Sequence, residues 1–247
     1  MSPYNSEADE FYVTVNLNTQ RGLLGDREPL LAFFDRIKAK FPDLRHLRTK
    51  DGGELILEGD KAGGTDRWVA IESSRLSTGL LNPESLEAAY RQHETVLELA
   101  PPALSIGPLD CEALDVMFGF DFIYSGNHDE IVAEVLSVGT AFGGLLGLRR
   151  AEILHYEPSI TVALDESCRL QCRVSVVTRT NAYQVRTQEF GDDQISVYLT
   201  VRQHWDGRPA TDFVESFRQQ RQIGEELVER FLIPKVVRPL ERAIASR

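Results

Sequence analysis

Cysteine is scarce, with three residues in 247. Cys111, Cys168 and Cys172 are too few, and odd in number, for a disulfide framework, so a reducing compartment fits. Cys168 and Cys172 fall within SCRLQCRVSVV, where a four-residue step along a strand separates same-side side chains by ~13 Å and excludes a bond between them. All three are expected to be buried small hydrophobes. Metal-ligand spacing is missing too. The histidines at 46, 93, 128, 155 and 204 form no HExxH or paired arrangement, so neither a metal nor a cofactor is expected. No apolar run approaches the ~20 residues of a membrane span. The start MSPYNSEADEF lacks the basic residues and apolar stretch of a signal peptide, and cytoplasmic localisation is the expectation. Basic residues are the minority, 27 Lys and Arg against 38 Asp and Glu. The net charge of −11 repels polyanions, which disfavours nucleic acid or an anionic membrane as partner.

What is present is strong periodicity. FYVTVNLNT (11–19) alternates as a strand; Asp26 then caps the helical pattern EPLLAFFDRIKAKF. LRHLRTK and ELILEGD flank Asp51-Gly52-Gly53 as a hairpin, and RWVAIESSRLS follows as one further strand. Asn82-Pro83-Glu84 reads as the start of a second helix, which Pro101-Pro102 ends. ALDVMFGFDFIY (113–124) is again a strand, and Asn127 caps the next helix. Beyond the Gly-rich stretch GTAFGGLLGLRR, four antiparallel strands are expected in AEILHYEPSITVALD, CRLQCRVSVVTRT, AYQVRTQEF and QISVYLTVRQHW. Thr211 or Asp212 caps the final helix, in which Pro234 makes a kink or starts a second short helix.

The elements read β-α-β-β-β-α and then β-α-β-β-β-β-α, one unit used twice. Residues 25–32 overlie 126–133 at an offset of 101, which also pairs Val13, Val15 and Leu17 with Leu114, Val116 and Phe118. Leu86, Tyr90 and Val96 match Phe213, Phe217 and Ile223 at an offset of 127, shared by Arg75 and Arg202. The difference places an insertion in the second unit, assigned to the Gly-rich stretch near 139–150 plus an extra or longer strand. The predicted organisation is an α+β fold of two units, 1–110 and 111–247, forming a mainly antiparallel sheet with helices on one face. In element order this resembles the TATA-binding-protein fold; a helix-grip or paired ferredoxin-like arrangement is the alternative. Function does not transfer with such a topology, and a chain of this charge is poorly equipped for minor-groove binding.

The polar sides of the last strands carry Arg169, Arg173, Arg179, Tyr198, Arg202 and His204. If these strands share one sheet, that cluster can hold a carboxylate or phosphate through bidentate guanidinium geometry. The competing reading is a solvated face whose ion pairs involve Asp115, Asp121 or Glu72. The Gly-rich stretch lacks GK[ST] and follows a helix, so it is a linker or an apolar flap rather than a phosphate loop. No GxSxG or SxxK context occurs, and no catalytic residue is assigned. The expectation is a non-enzymatic binding or assembly module using the polar sheet face, the flap, or both. The alternative is an enzyme of unrecognised family holding a small anionic substrate on the Arg/His/Tyr face. A homodimer, with residues 139–150 or the final helix at its interface, is also expected.

Overall fold

The computed structural model describes residues 3–50, 52–60, 64–107, 109–137, 139–148, 152–205 and 212–247. Among these residues nine strands form one antiparallel sheet, and no described helix is long and apolar enough to cross a membrane. The elements of the first half are β1 (Glu10–Thr19), α1 (Arg27–Lys40), β2 (Leu44–Thr49), β3 (Leu55–Gly59), β4 (Asp66–Ile71), β5 (Arg75–Leu81) and α2 (Leu86–Leu104). Those of the second are β6 (Cys111–Tyr124), α3 (His128–Leu136), α4 (Gly143–Leu146), β7 (Ser159–Ala163), β8 (Leu170–Val177), α5 (Ala182–Thr187), β9 (Asp193–His204) and α6 (Phe213–Leu227). A π-helical segment, Val228–Val237, then leads into α7 (Arg238–Ala245). The strand order is β2-β3-β4-β5-β1-β6-β9-β8-β7, so the sheet runs without a break across the boundary between the halves.

Alternation explains the layering. Phe11, Val13, Val15 and Leu17 of β1 join Leu114, Val116, Phe118 and Phe120 of β6 in one buried cluster with the apolar stripes of the helices. Phe33, Phe34 and Ile37 of α1, Val96 and Leu97 of α2, Ile131 of α3 and Phe217 of α6 belong to the same core. At Gly224 the packing of α6 is closest, since a Cβ there would lie 2.3 Å from the Phe118 ring.

Local chemistry corrects several expectations. RWVAIESSRLS is not one strand but the hairpin β4–β5, closed by Glu72 N donating to the Arg75 carbonyl at 2.8 Å. The alternation is equally good on both sides of Ser73-Ser74, so periodicity alone hid the turn. AYQVRTQEF is the helix α5: the Asn181 side chain accepts from Tyr183 and Gln184 N–H, Gln184 returns the bond, and Gln188 closes the helix at φ 59°. This capping box outweighs the weak strand alternation.

The start of α2 is Ser85, whose side chain accepts from Ala88 N at 3.1 Å, while Asn82 turns the chain at φ 45° and accepts from Phe11 N. Pro101 and Pro102 do not end that helix. It continues to Leu104 and stops at Ser105 in the left-handed region. Asp26 holds the N-cap position of α1 without a side-chain cap bond, whereas Asn127 and Asp212 both cap with theirs. Thr211 lies outside the described residues. Pro234 sits within the π-helical segment, where its missing N–H is absorbed by the widened turn. Cys168 is exposed in the turn before β8, contrary to the expected burial; Cys111 and Cys172 are buried, which pushes their thiols up to about 12 and about 11.

Candidate functional site

Directly paired residues of neighbouring strands share a face. Arg173 of β8 pairs with Thr200 of β9 and Thr161 of β7; Gln171 of β8 pairs with Arg202 of β9, which pairs in turn with Asp115 of β6. Arg173 and Arg202 therefore project from the same polar side of the sheet. A cavity of about 300 Å³ opens there, walled by Arg75, Asp115, Arg173 and Arg202 with the hydroxyls of Thr161 and Thr200.

The three guanidinium groups differ. Arg202 is clamped by Asp115, its Nε and Nη2 lying 2.5 and 2.6 Å from the two carboxylate oxygens, and Asn18 donates to the same carboxylate at 3.1 Å. The bonded carboxylate holds the Arg202 pKa above its ordinary value. Arg75 is paired with Glu72. Arg173 donates only to Ser159 Oγ, at 3.1 Å, and has no carboxylate partner among the described residues. The cavity lining thus presents three cations and one carboxylate on a chain whose overall charge is −11.

The remaining predicted site residues lie elsewhere. Arg179 follows the end of β8 and folds back onto β9, donating to Ser196 Oγ at 3.0 Å and to the Gln194 carbonyl. Tyr198 stands beside it on the same face, its ring centroid 6.3 Å from that of Tyr12. Tyr12 donates its hydroxyl to Asp121 Oδ1 at 3.3 Å. Burial raises the Asp121 pKa, against the lowering influence of Ser196, Tyr12 and Arg179, and burial likewise raises the Tyr12 phenol. This second cluster satisfies itself internally. Arg169 precedes β8, and its carbonyl accepts from His204 N at 2.9 Å; neither residue lines the cavity.

Of the six predicted residues, the tertiary structure brings Arg173 and Arg202 together and adds Arg75 from the other half of the chain. Nothing local in the sequence marks Arg75 as a partner. It reaches the cavity because β5 and β9 flank the central pair β1–β6. Another concavity, of about 610 Å³, runs along β2 and β3, but its arginines are matched: Arg48 pairs with Glu58 and Arg45 with Asp60, which is also hydrogen-bonded to the His46 ring. The hydrogen bond from His46 holds the Asp60 carboxyl below its ordinary range. No protein-family model matches the chain, and no curated protein sequence matches it.

Proposed function

We propose that the protein is a binding module that takes a small anionic ligand, a carboxylate or phosphate, on the polar face of its sheet. The observation that carries this reading is Arg173, a guanidinium at the wall of a cavity with no carboxylate partner among the described residues. Arg202 and Arg75 stand beside it, each held in place by an acid, so an entering anion meets oriented donors. The lining supports binding rather than reaction. Its one carboxylate, Asp115, is occupied by Arg202, and no His, Cys or Lys lines the cavity.

Isothermal titration with inorganic phosphate and with a short dicarboxylate tests the proposal on the wild-type chain and on Arg173→Gln. Saturable binding of one probe, weakened at least tenfold in the variant, is the expected result. Absence of binding by both probes, or binding indifferent to the substitution, overturns it.

We also infer that the two halves are copies of one unit, arranged in the manner of the TATA-binding-protein fold. Val15 and Val116 are direct partners in the central β1–β6 pair, and the offset of 101 carries one onto the other. The N-cap positions Asp26 and Asn127 share that offset, while Ser85 and Asp212 share 127. His93 of α2 faces the Val13 backbone and Thr78; Gln220 of α6, again 127 further on, donates to the carbonyls of Leu114 and Val201. These are corresponding points: Leu114 is Val13 plus 101, and Thr78 and Val201 are the partners of Val15 and Val116. The same register sets Arg75 against Tyr198, so the Arg75–Arg202 match seen in the sequence is accidental. Among the described residues the second half has no extra strand; its added length includes α4, α5 and their connections.

A further inference from the structure

Counted outward from the central pair, the sheet has β5, β4, β3 and β2 on one side and β9, β8 and β7 on the other. Among the described residues, nothing occupies the place beyond β7 that β2 fills in the first half. The two edges also differ in chemistry. β2, LRHLRT, carries Arg45, His46 and Arg48, the kind of charge that keeps an edge from pairing. β7, SITVA, carries none, and all five of its residues are exposed. Pro158 O and Leu164 N bond toward β8, so alternation turns the N–H and C=O groups of Ser159, Thr161 and Ala163 outward.

Apolar exposure is concentrated in the stretch of sequence that leads into and through β7. Of the eleven large hydrophobic residues exposed among the described residues, seven fall between Phe142 and Leu164, including Leu154, Ile160 and Val162. With ~150–200 Å² for a whole side chain of this size, the four at and beside β7, Leu154, Ile160, Val162 and Leu164, leave on the order of 350 Å² of apolar surface per chain, to which backbone pairing along the edge adds, against the ~800 Å² per partner of a standard interface.

We propose that β7 is the docking edge for a second copy of this chain, whose own β7 adds antiparallel to it about a two-fold axis. The strand is self-complementary. A register centred on Thr161 sets Thr161 against its mate, Ile160 against Val162 and Ser159 against Ala163, with no charge within the paired strands. Pairing also closes the assembly, because the continuous sheet of two chains then ends at both sides in the charged β2. A partner of unlike sequence would bring no such closure. The interface lies at β7 and its flanks rather than on the final helix, where Phe231 is the one large hydrophobic residue exposed among the described residues.

Light scattering on the full chain, from low to high micromolar concentration, measures the state directly. The wild type is expected at twice the chain mass, and Thr161→Pro and the double variant Ile160→Lys/Val162→Lys at the chain mass, with unchanged circular dichroism. Hydrogen exchange on the wild type gives a readout that does not depend on how the variants fold: the Ser159, Thr161 and Ala163 amides should be protected at high concentration and lose protection on dilution. A wild type that stays monomeric, a dimer that survives both variants, or amides equally open at all concentrations overturns the proposal.

Discussion

Asp115 and Arg202 are direct partners on β6 and β9, joined by two hydrogen bonds of 2.5 and 2.6 Å, with the carboxylate side chain 7% exposed and the guanidinium 44%. The pair is asymmetric. Asp115 is the nearly buried member, reached only from the cavity, while Arg202 keeps enough solvent contact to remain charged at little cost. The acid fixes the direction of the base, and the base compensates the acid.

Removing Arg202 should therefore hurt more than removing Asp115. Arg202→Leu is expected to lower stability by about 2 kcal/mol, below the ~3–5 kcal/mol of a wholly buried pair because the Asn18 bond survives and solvent reaches the arginine side. Urea unfolding of the two single variants and the double variant Asp115→Asn/Arg202→Leu measures this. The double variant should recover most of the loss, since no buried charge is then left unpaired. Equal destabilisation by all three would show that the pair contributes packing alone.

Acid sensitivity should centre on His93. The ring is fully buried between Thr78 and Phe217, and burial pushes its pKa down to about 3, against the raising influence of the Val13 backbone. In an unfolded chain the imidazole titrates near ~6.5, so between these values the native state binds fewer protons than the unfolded one. Its contribution is complete above about pH 6.5 and is lost as the pH falls toward 3. His93→Gln places in α2 the side chain that α6 uses at Gln220. The variant should fold and lose much less stability between pH 7 and pH 4.5 than the wild type, as read from urea midpoints. An unchanged pH dependence removes His93 as the cause.

Gly224→Ala should lower Tm even though alanine is the better helix former. The propensity gain is ~1 kcal/mol. The new Cβ would stand 2.3 Å from the fully buried Phe118 ring, and overpacking of this kind costs ~1–3 kcal/mol. Thermal unfolding followed by circular dichroism decides the sign, and a raised Tm would mean that α6 can back away from β6.

Periodicity and capping along the chain specify the strands β1, β6, β8 and β9, the helices α1, α3 and α6, and the alternation that sends Arg173 and Arg202 to one side of their strands. Each follows from a period of two or 3.6 sustained over eight residues or more, or from a cap at a known offset. The hairpin β2–β3, the helix α2 and the strand β7 were legible too; short-range competition hid only a turn at Ser73-Ser74 that leaves the alternation intact and a capping box at Asn181 that makes a helix of a strand-like run. The site itself arises from long-range pairing. Arg75 meets Arg173 and Arg202 because β1 and β6 pair across the middle of the sheet, and Asp115 compensates Arg202 while Arg173 has no acid among the described residues. Strand order is set by long-range packing of whole apolar faces. No spacing along the chain encodes it, and the free edge at β7 became visible only once that order was known.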